Sequence, residues 1–294
     1  MSSISKKQQA IIYIICSAFF FALMNMFVRM SGDLPSIQKS FFRNLVAFFF
    51  ALIILLRSKE GFSFQKKNLP VFIGRSFFGT LGILCNFYAV DHLVLSDASI
   101  LNKLSPFFAI LFSYFILKEK LTLVQGSAVA AAFCGAILVV KPGFAGANVL
   151  IPSLVGVTGS MCAGLAYPLV RVLGQRGERG PFIVLFFSAF SCLITLPYLM
   201  FDFHPMTAAQ FFTLLLAGLS SAGGQFTITA AYTRAPAREV SVFDYTQIVF
   251  AAGLGFLFFG QLPDILSVIG YCIISGVAIW MFLYNLRKDH HLQQ

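Results

Sequence analysis

Residues 97–117 read DASILNKLSPFFAILFSYFIL, and residues 239–259 read EVSVFDYTQIVFAAGLGFLFF. Each is an apolar run close to the ~20 residues that a helix needs to cross a bilayer. Each carries one charge deep inside it, Lys103 in the first and Asp244 in the second, and the two positions lie 141 residues apart. A charge within the hydrocarbon costs about 2.5–3.5 kcal/mol on insertion scales, so such side chains normally face a polar interior. Two equivalent runs, each with one such charge, read as a duplicated membrane protein with a polar centre.

The rest of the chain extends this reading. Apolar stretches fall at 10–30, 37–56, 70–90, 97–117, 122–140, 150–172, 181–201, 208–231, 239–259 and 265–285. Hydrophobic residues make up 58% of the chain and charged residues 11%, too little charge for a surface that faces water throughout. The predicted fold class is therefore an all-α integral membrane protein with ten transmembrane helices. Ten spans of about 20 residues leave roughly a hundred for loops and ends, too few for a soluble catalytic domain.

The formal net charge of +10 could suggest a nucleic-acid partner, but the basic residues sit between apolar runs rather than on one polar face, so no nucleic acid is expected. They read better as topology signals. Only Arg29, Lys39 and Lys141 fall on one side and Arg43 and Lys103 within spans; all the other lysines and arginines, Arg75 included, fall on or near the side of the amino terminus. By the positive-inside rule both termini are cytoplasmic, and the expected location is the cell (inner or plasma) membrane. Lys6 and Lys7 precede the first run, which has no small-residue cleavage site, so it reads as a retained span. The six cysteines show no CxxC spacing and the four histidines no HExxH pattern, so the reading assigns no metal site and no cofactor.

A near-constant offset reveals the duplication. At 141, Gly82 meets Gly223, Ala89 meets Ala230, Lys103 meets Asp244 and Gly135 meets Gly276; Arg29 meets Arg171 at 142, and Phe41-Phe42 meets Phe186-Phe187 at 145. An odd number of spans per unit makes the two copies enter the membrane from opposite sides, a construction common among secondary transporters. Two motifs carry a family resemblance. Tyr88-Ala89-Val90 through Asp97-Ala98, Leu104-Ser105-Pro106 and Leu117-Lys118-Glu119-Lys120-Leu121-Thr122 form one; Gly218 to Ala231 around Gly223-Gly224-Gln225, together with Arg75 to Gly79, form the other. On these residues the chain resembles the EamA-type drug/metabolite transporters. The resemblance implies two inverted five-helix EamA repeats, at 10–141 and 150–285, around a central cavity, with 286–294 as a cytoplasmic tail. Gly260 and Gln261 depart from it, standing where the acidic closing motif would recur.

Candidate solute-binding residues follow from spacing. Ser99, Asn102, Lys103 and Pro106 share one stripe of a helix; Val240, Phe243, Asp244 and Gln247 form the matching stripe in the second copy; and Ser221, Gln225, Thr229 and Tyr232 form a third. Asn25, Arg43, Asn86 and Tyr167 add polar groups in other spans. The alternatives are that Arg43 and Lys103 snorkel to headgroups while Asp244 pairs with a loop base, or that the polar faces only join helices. On straight helices Lys103 and Asp244 lie about 10 Å apart along the membrane normal, so the sequence assigns them separate roles. Lys103 with Arg43 takes the anionic part of a solute, and Asp244 its cationic part or a proton. Pro106 and Pro168 are expected to interrupt their spans. No nucleophile or His/Asp constellation points to catalysis, so an enzyme is not expected. The expected function is a carrier for a small organic metabolite, with a zwitterion such as an amino acid preferred; a passive channel or an integral-membrane enzyme without a recognisable motif is the alternative. The oligomeric state is not readable.

Overall fold

A computed structural model describes residues 6–57, 64–116, 123–141, 146–234 and 241–291. The closing motif at 117–122, the turn residues Pro142 and Gly143, and Lys59, Pro236, Arg238 and Val240 lie outside these ranges. Among the described residues the regular structure is all helical. The first half contains α1 (Lys6–Met30), α2 (Ser36–Arg57), α3 (Leu69–His92), α4 (Leu95–Asn102), α5 (Ser105–Ile116) and α6 (Leu123–Val140). The second contains α7 (Ala147–Gln175), α8 (Gly180–Phe201), α9 (Ala208–Arg234), α10 (Thr246–Phe259) and α11 (Ile265–His291). Single 3-10 turns at Lys66–Asn68 and Ser241–Tyr245 lead into α3 and α10. Among the described residues, six helices are long and apolar enough to cross a membrane: α1 to α3 and α7 to α9. Shorter apolar helices follow in each half, at 126–140, 243–259 and 265–281.

The fourth expected span is not one helix. It breaks at Lys103-Leu104 into α4 and α5. Pro106 has no N–H to return to Asn102, whereas in the first turn of a new helix its fixed φ is well suited. The backbone accordingly restarts on Leu104, whose carbonyl accepts from Phe107 and Phe108 at 3.0 and 3.1 Å. Pro168 behaves differently from the expectation and lies inside a continuous α7. α10 ends at Gly260, which adopts a left-handed conformation with φ of 62°, a backbone state open to glycine at little cost.

Helix pairing reveals the two-fold character of the fold. α1 runs along α9 as α3 runs along α7; α5 packs on α7 as α10 packs on α1; α2 meets α8 and α6 meets α11. Exchanging the halves maps this set onto itself. Lipid tails are as apolar as leucine, so close backbone approach rather than hydrophobic burial holds such pairs together. At the α3–α7 crossing, a Cβ on Gly159 would come within 2.8 Å of Cys85 Cβ, and one on Gly82 within 3.2 Å of the Gly159 carbonyl. The connections repeat the symmetry. On one face, Gln38 exchanges hydrogen bonds with the backbone of His204 at 2.8 and 3.1 Å, and Gln210 donates to the Ser31 carbonyl at 3.1 Å. On the other, Glu178 accepts from Asn68 Nδ2 at 2.6 Å and from the Gln65 amide at 3.0 Å, and Arg176 donates to Asn68 Oδ1 at 3.0 Å. The same clasp, built from different side chains, closes both ends of the bundle.

Candidate functional site

The break between α4 and α5 and the 3-10 turn before α10 meet at the centre of the molecule. Lys103 occupies the first and Asp244 the second. Their side chains form an ion pair, Nζ to Oδ2. Phe107, which would donate to the Lys103 carbonyl in a continuous helix, donates to Leu104 instead, so this oxygen is left without its helical partner. It accepts instead from the Tyr245 hydroxyl at 3.1 Å. This overturns the expectation that the two charges are too far apart to pair. That estimate placed each on a straight helix running the full span. Helix interruptions and the reach of the lysine stem close the gap. Asp244 Oδ1 has no partner among the described residues.

Two further arginines, on α2 and α3, lie close to each other. Arg43, on α2, is 3% exposed. Its Nη1 donates to Asn44 Oδ1 at 2.6 Å, and Asn44 in turn donates to the Ser40 carbonyl at 2.8 Å and to Ser191 Oγ on α8 at 2.9 Å. Arg75, on α3, lays its guanidinium over the Phe187 ring, 4.1 Å from the centroid. It fills the space left by a glycine one turn on, because a Cβ on Gly79 would lie 2.2 Å from Arg75 Nη1. The two guanidiniums lie close enough to repel each other. Arg43 Nε and Arg75 Nε and Nη1 have no hydrogen-bond partner, and no acidic side chain among the described residues pairs with either arginine. The cation–π contact is worth about 0.5–2 kcal/mol, less than the several kcal/mol per ion that burying a charge costs. The sequence reading had assigned Arg75 to the basic surface. Its place within the 70–90 run, beside Ser76 and Gly79, was the signal for an interior position.

The other expected residues divide into groups. Tyr167, on α7, engages Ser105 and lies within electrostatic reach of both Asp244 and Arg75. It keeps 50% of its surface accessible. Asn102 ends α4 next to Lys103, and Gln247 is buried in the first turn of α10. Asn86 donates to Asn25 Oδ1 at 3.3 Å, linking α3 to α1 nearer the other end of the bundle. Gln225 instead borders an apolar recess of about 40 Å³ between α2, α8 and α9, with Ala47, Ala51, Val184 and Ala222. The structure thus pairs Lys103 with Asp244, brings Tyr167 within reach of Asp244 and Arg75 and sets Arg43 near Arg75, while Asn102 and Gln247 flank the pair in sequence, Asn25 and Asn86 bond each other and Gln225 borders the recess.

The face opposite the start of α1 is tied shut. Arg29 Nη1 donates to the carbonyls of Val90, at 3.0 Å, and of Leu93, and its guanidinium lies 5.2 Å from the Phe259 ring centroid. Lys39 pairs with Asp91 at 2.6 Å. Gln261, which departed from the family motif, accepts from the Leu95 amide at 3.0 Å and so caps α4 from the other half. One end is therefore closed by polar links between helices, while Tyr167 remains accessible below them.

Comparison with known proteins agrees with this architecture. The profile of the EamA-like transporter family matches the chain twice, over residues 8–141 and 150–283. The pseudopaline exporter CntI of Pseudomonas aeruginosa is 33% identical over 274 residues, covering 92% of this chain and 95% of that protein. A riboflavin transporter of Rhizobium johnstonii is 25% identical over 284 residues, covering 95% and 92% of the two chains. A solved crystal structure shares the fold with a TM-score of 0.68 at 15% identity, over 95% of this chain and 98% of the other.

Proposed function

We infer that this chain, which belongs to the EamA-like transporter family, is a secondary carrier that moves a small organic metabolite across the cell membrane by alternating access. Its helices make ten crossings as two inverted repeats, with α4 and α5 together forming one, and both chain ends lie in the cytoplasm. The observation that carries this reading is the Lys103–Asp244 pair. It joins equivalent positions of the two repeats, Lys103 at a helix break and Asp244 in the 3-10 turn that leads into α10, where freed backbone and charge are tolerated only if they line a protein-enclosed space. A carrier needs such a junction, because rocking one repeat against the other must make and break contacts at the centre. Similarity to a pseudopaline exporter supports outward movement of the cargo. An acidic group on the solute would meet Arg43 and Arg75, and an amine would meet Asp244 Oδ1. Protonating Asp244 would release Lys103, which gives the exchange a route to proton coupling.

The test is counterflow in liposomes with a panel of labelled amino acids and related metabolites. A carrier exchanges external label against an internal unlabelled pool, whereas a channel lets both leak. Asp244→Asn and Lys103→Gln are expected to abolish exchange. Unchanged exchange in both variants would remove the pair from the mechanism.

A further inference from the structure

Repeat symmetry separates the charges at the centre into two kinds. Lys103 and Asp244 are each other's counterparts, and they neutralise each other. Arg43 and Arg75 have no counterpart: the equivalent positions hold Ser188, at the 145 offset, and Leu216, at 141. These arginines do not recur, no acidic side chain among the described residues pairs with either, and three of their nitrogen donors are left without a partner. Each is nevertheless held in place, Arg43 by Asn44 and Arg75 by Phe187 and the space at Gly79. Tyr167, half exposed, lies within electrostatic reach of Arg75.

We propose that Arg43 and Arg75 form an anion subsite and that the cargo carries two carboxylates. The inference rests on the carrier reading above and narrows its solute to a class. Arginine fits because its planar fork presents parallel donors to a carboxylate. Two carboxylates fit because Arg43 and Arg75 are two neighbouring cations with no acidic partner among the described residues. An amine on the same molecule is compatible with the free Oδ1 of Asp244 but is not required.

The experiment uses the purified full chain in lipid nanodiscs. Malonate, succinate, glutarate and adipate are each compared with the corresponding monoamide, which keeps the size and removes one charge. The readout is the concentration that gives half-maximal thermal stabilisation. At least one diacid should stabilise the protein, and its monoamide should need about tenfold more or worse, the effect of losing one charge-assisted contact. Arg43→Gln and Arg75→Gln should each bring that ratio close to one. Arg43→Lys and Arg75→Lys keep the charge and lose the fork; they should reduce the ratio less, and they carry the test if a glutamine variant does not fold. The proposal is overturned if no diacid stabilises, if acid and amide act alike on the wild type, or if the ratio survives in the variants. Counterflow keeps the two ideas separable. A diacid that binds through the arginines without being exchanged sinks the carrier reading alone, and exchange of a solute with no acid-to-amide preference sinks the subsite alone.

Discussion

Neutralising Asp244 should destabilise the protein more than neutralising Asp244 and Lys103 together. Removing one partner of a buried ion pair costs about 3–5 kcal/mol, because the survivor keeps its desolvation cost and loses its attraction. The Asp244 side chain is 16% exposed, which puts the loss at the lower end of that range. Asp244→Asn leaves the buried Lys103 ammonium without an acid. Lys103→Gln leaves Asp244, the more exposed member of the pair, without its cation and should cost less. The double variant returns the centre to the wild-type net charge, and replacing both members of a buried pair is often close to neutral. At about 2–4 °C per kcal/mol for a chain of this size class, the Tm of Asp244→Asn should drop by about 6–12 °C. The double variant should recover at least half of that drop. Thermal unfolding of the four proteins in one detergent measures it, analysed as a double-mutant cycle. A double variant less stable than Asp244→Asn alone would refute the account, because it would mean that the two charges do not compensate each other.

Three further outcomes follow from the packing. Gly159→Ala must push against Cys85 at 2.8 Å, whereas Gly174→Ala meets nothing within 4 Å; only the first should lower expression and Tm. Arg29→Ala removes the donor to the Val90 and Leu93 carbonyls, so a cysteine placed at Asn86 in a cysteine-free background should react faster with impermeant thiol reagents added from that face. Asp264 pairs with Lys141 and caps α11 through the Ser267 amide at 3.0 Å. Partial burial would raise its pKa, but these hydrogen bonds outweigh that and hold it below the ordinary carboxylate value. A depressed folded pKa contributes stability above the unfolded value and loses it as pH falls through the folded one. Asp264→Asn should therefore lower Tm slightly at pH 7, by an amount limited by solvent exposure, and the gap should close in strong acid.

Much of the architecture was legible because lipid imposes simple rules. Apolar length marked the six long helices, and the 141 offset aligned the halves. The central pair was half legible. Composition located Lys103 and Asp244, but their distance depended on a helix break that Pro106 announced and a 3-10 turn that nothing announced. Pro168 shows why: the same residue type breaks one span and is absorbed in another, according to whether neighbours take up the freed carbonyls. Arg75 was misread for a related reason. Six residues into a helix, an arginine can reach either the headgroups or the core, and only the space at Gly79 and the Phe187 ring decide between them. Gln225, a polar stripe position, borders an apolar recess.

Symmetry and its violation separate motion from recognition. Inverted repeats give two conformations of similar energy, because exchanging the roles of the halves reproduces the same set of contacts. The paired α1–α9 and α3–α7 crossings and the two clasps have this property, and the Lys103–Asp244 pair lies at the junction where the exchange would occur. A solute need not be symmetric, so the groups that recognise it need not be either. Arg43 and Arg75 are the charged groups of the centre that the repeat does not duplicate. If they served only packing, replacing Arg43 with the serine of its counterpart position would leave solute preference unchanged. If they select the cargo, Arg43→Ser should leave the pairing of helices intact and remove the preference for a second acidic group.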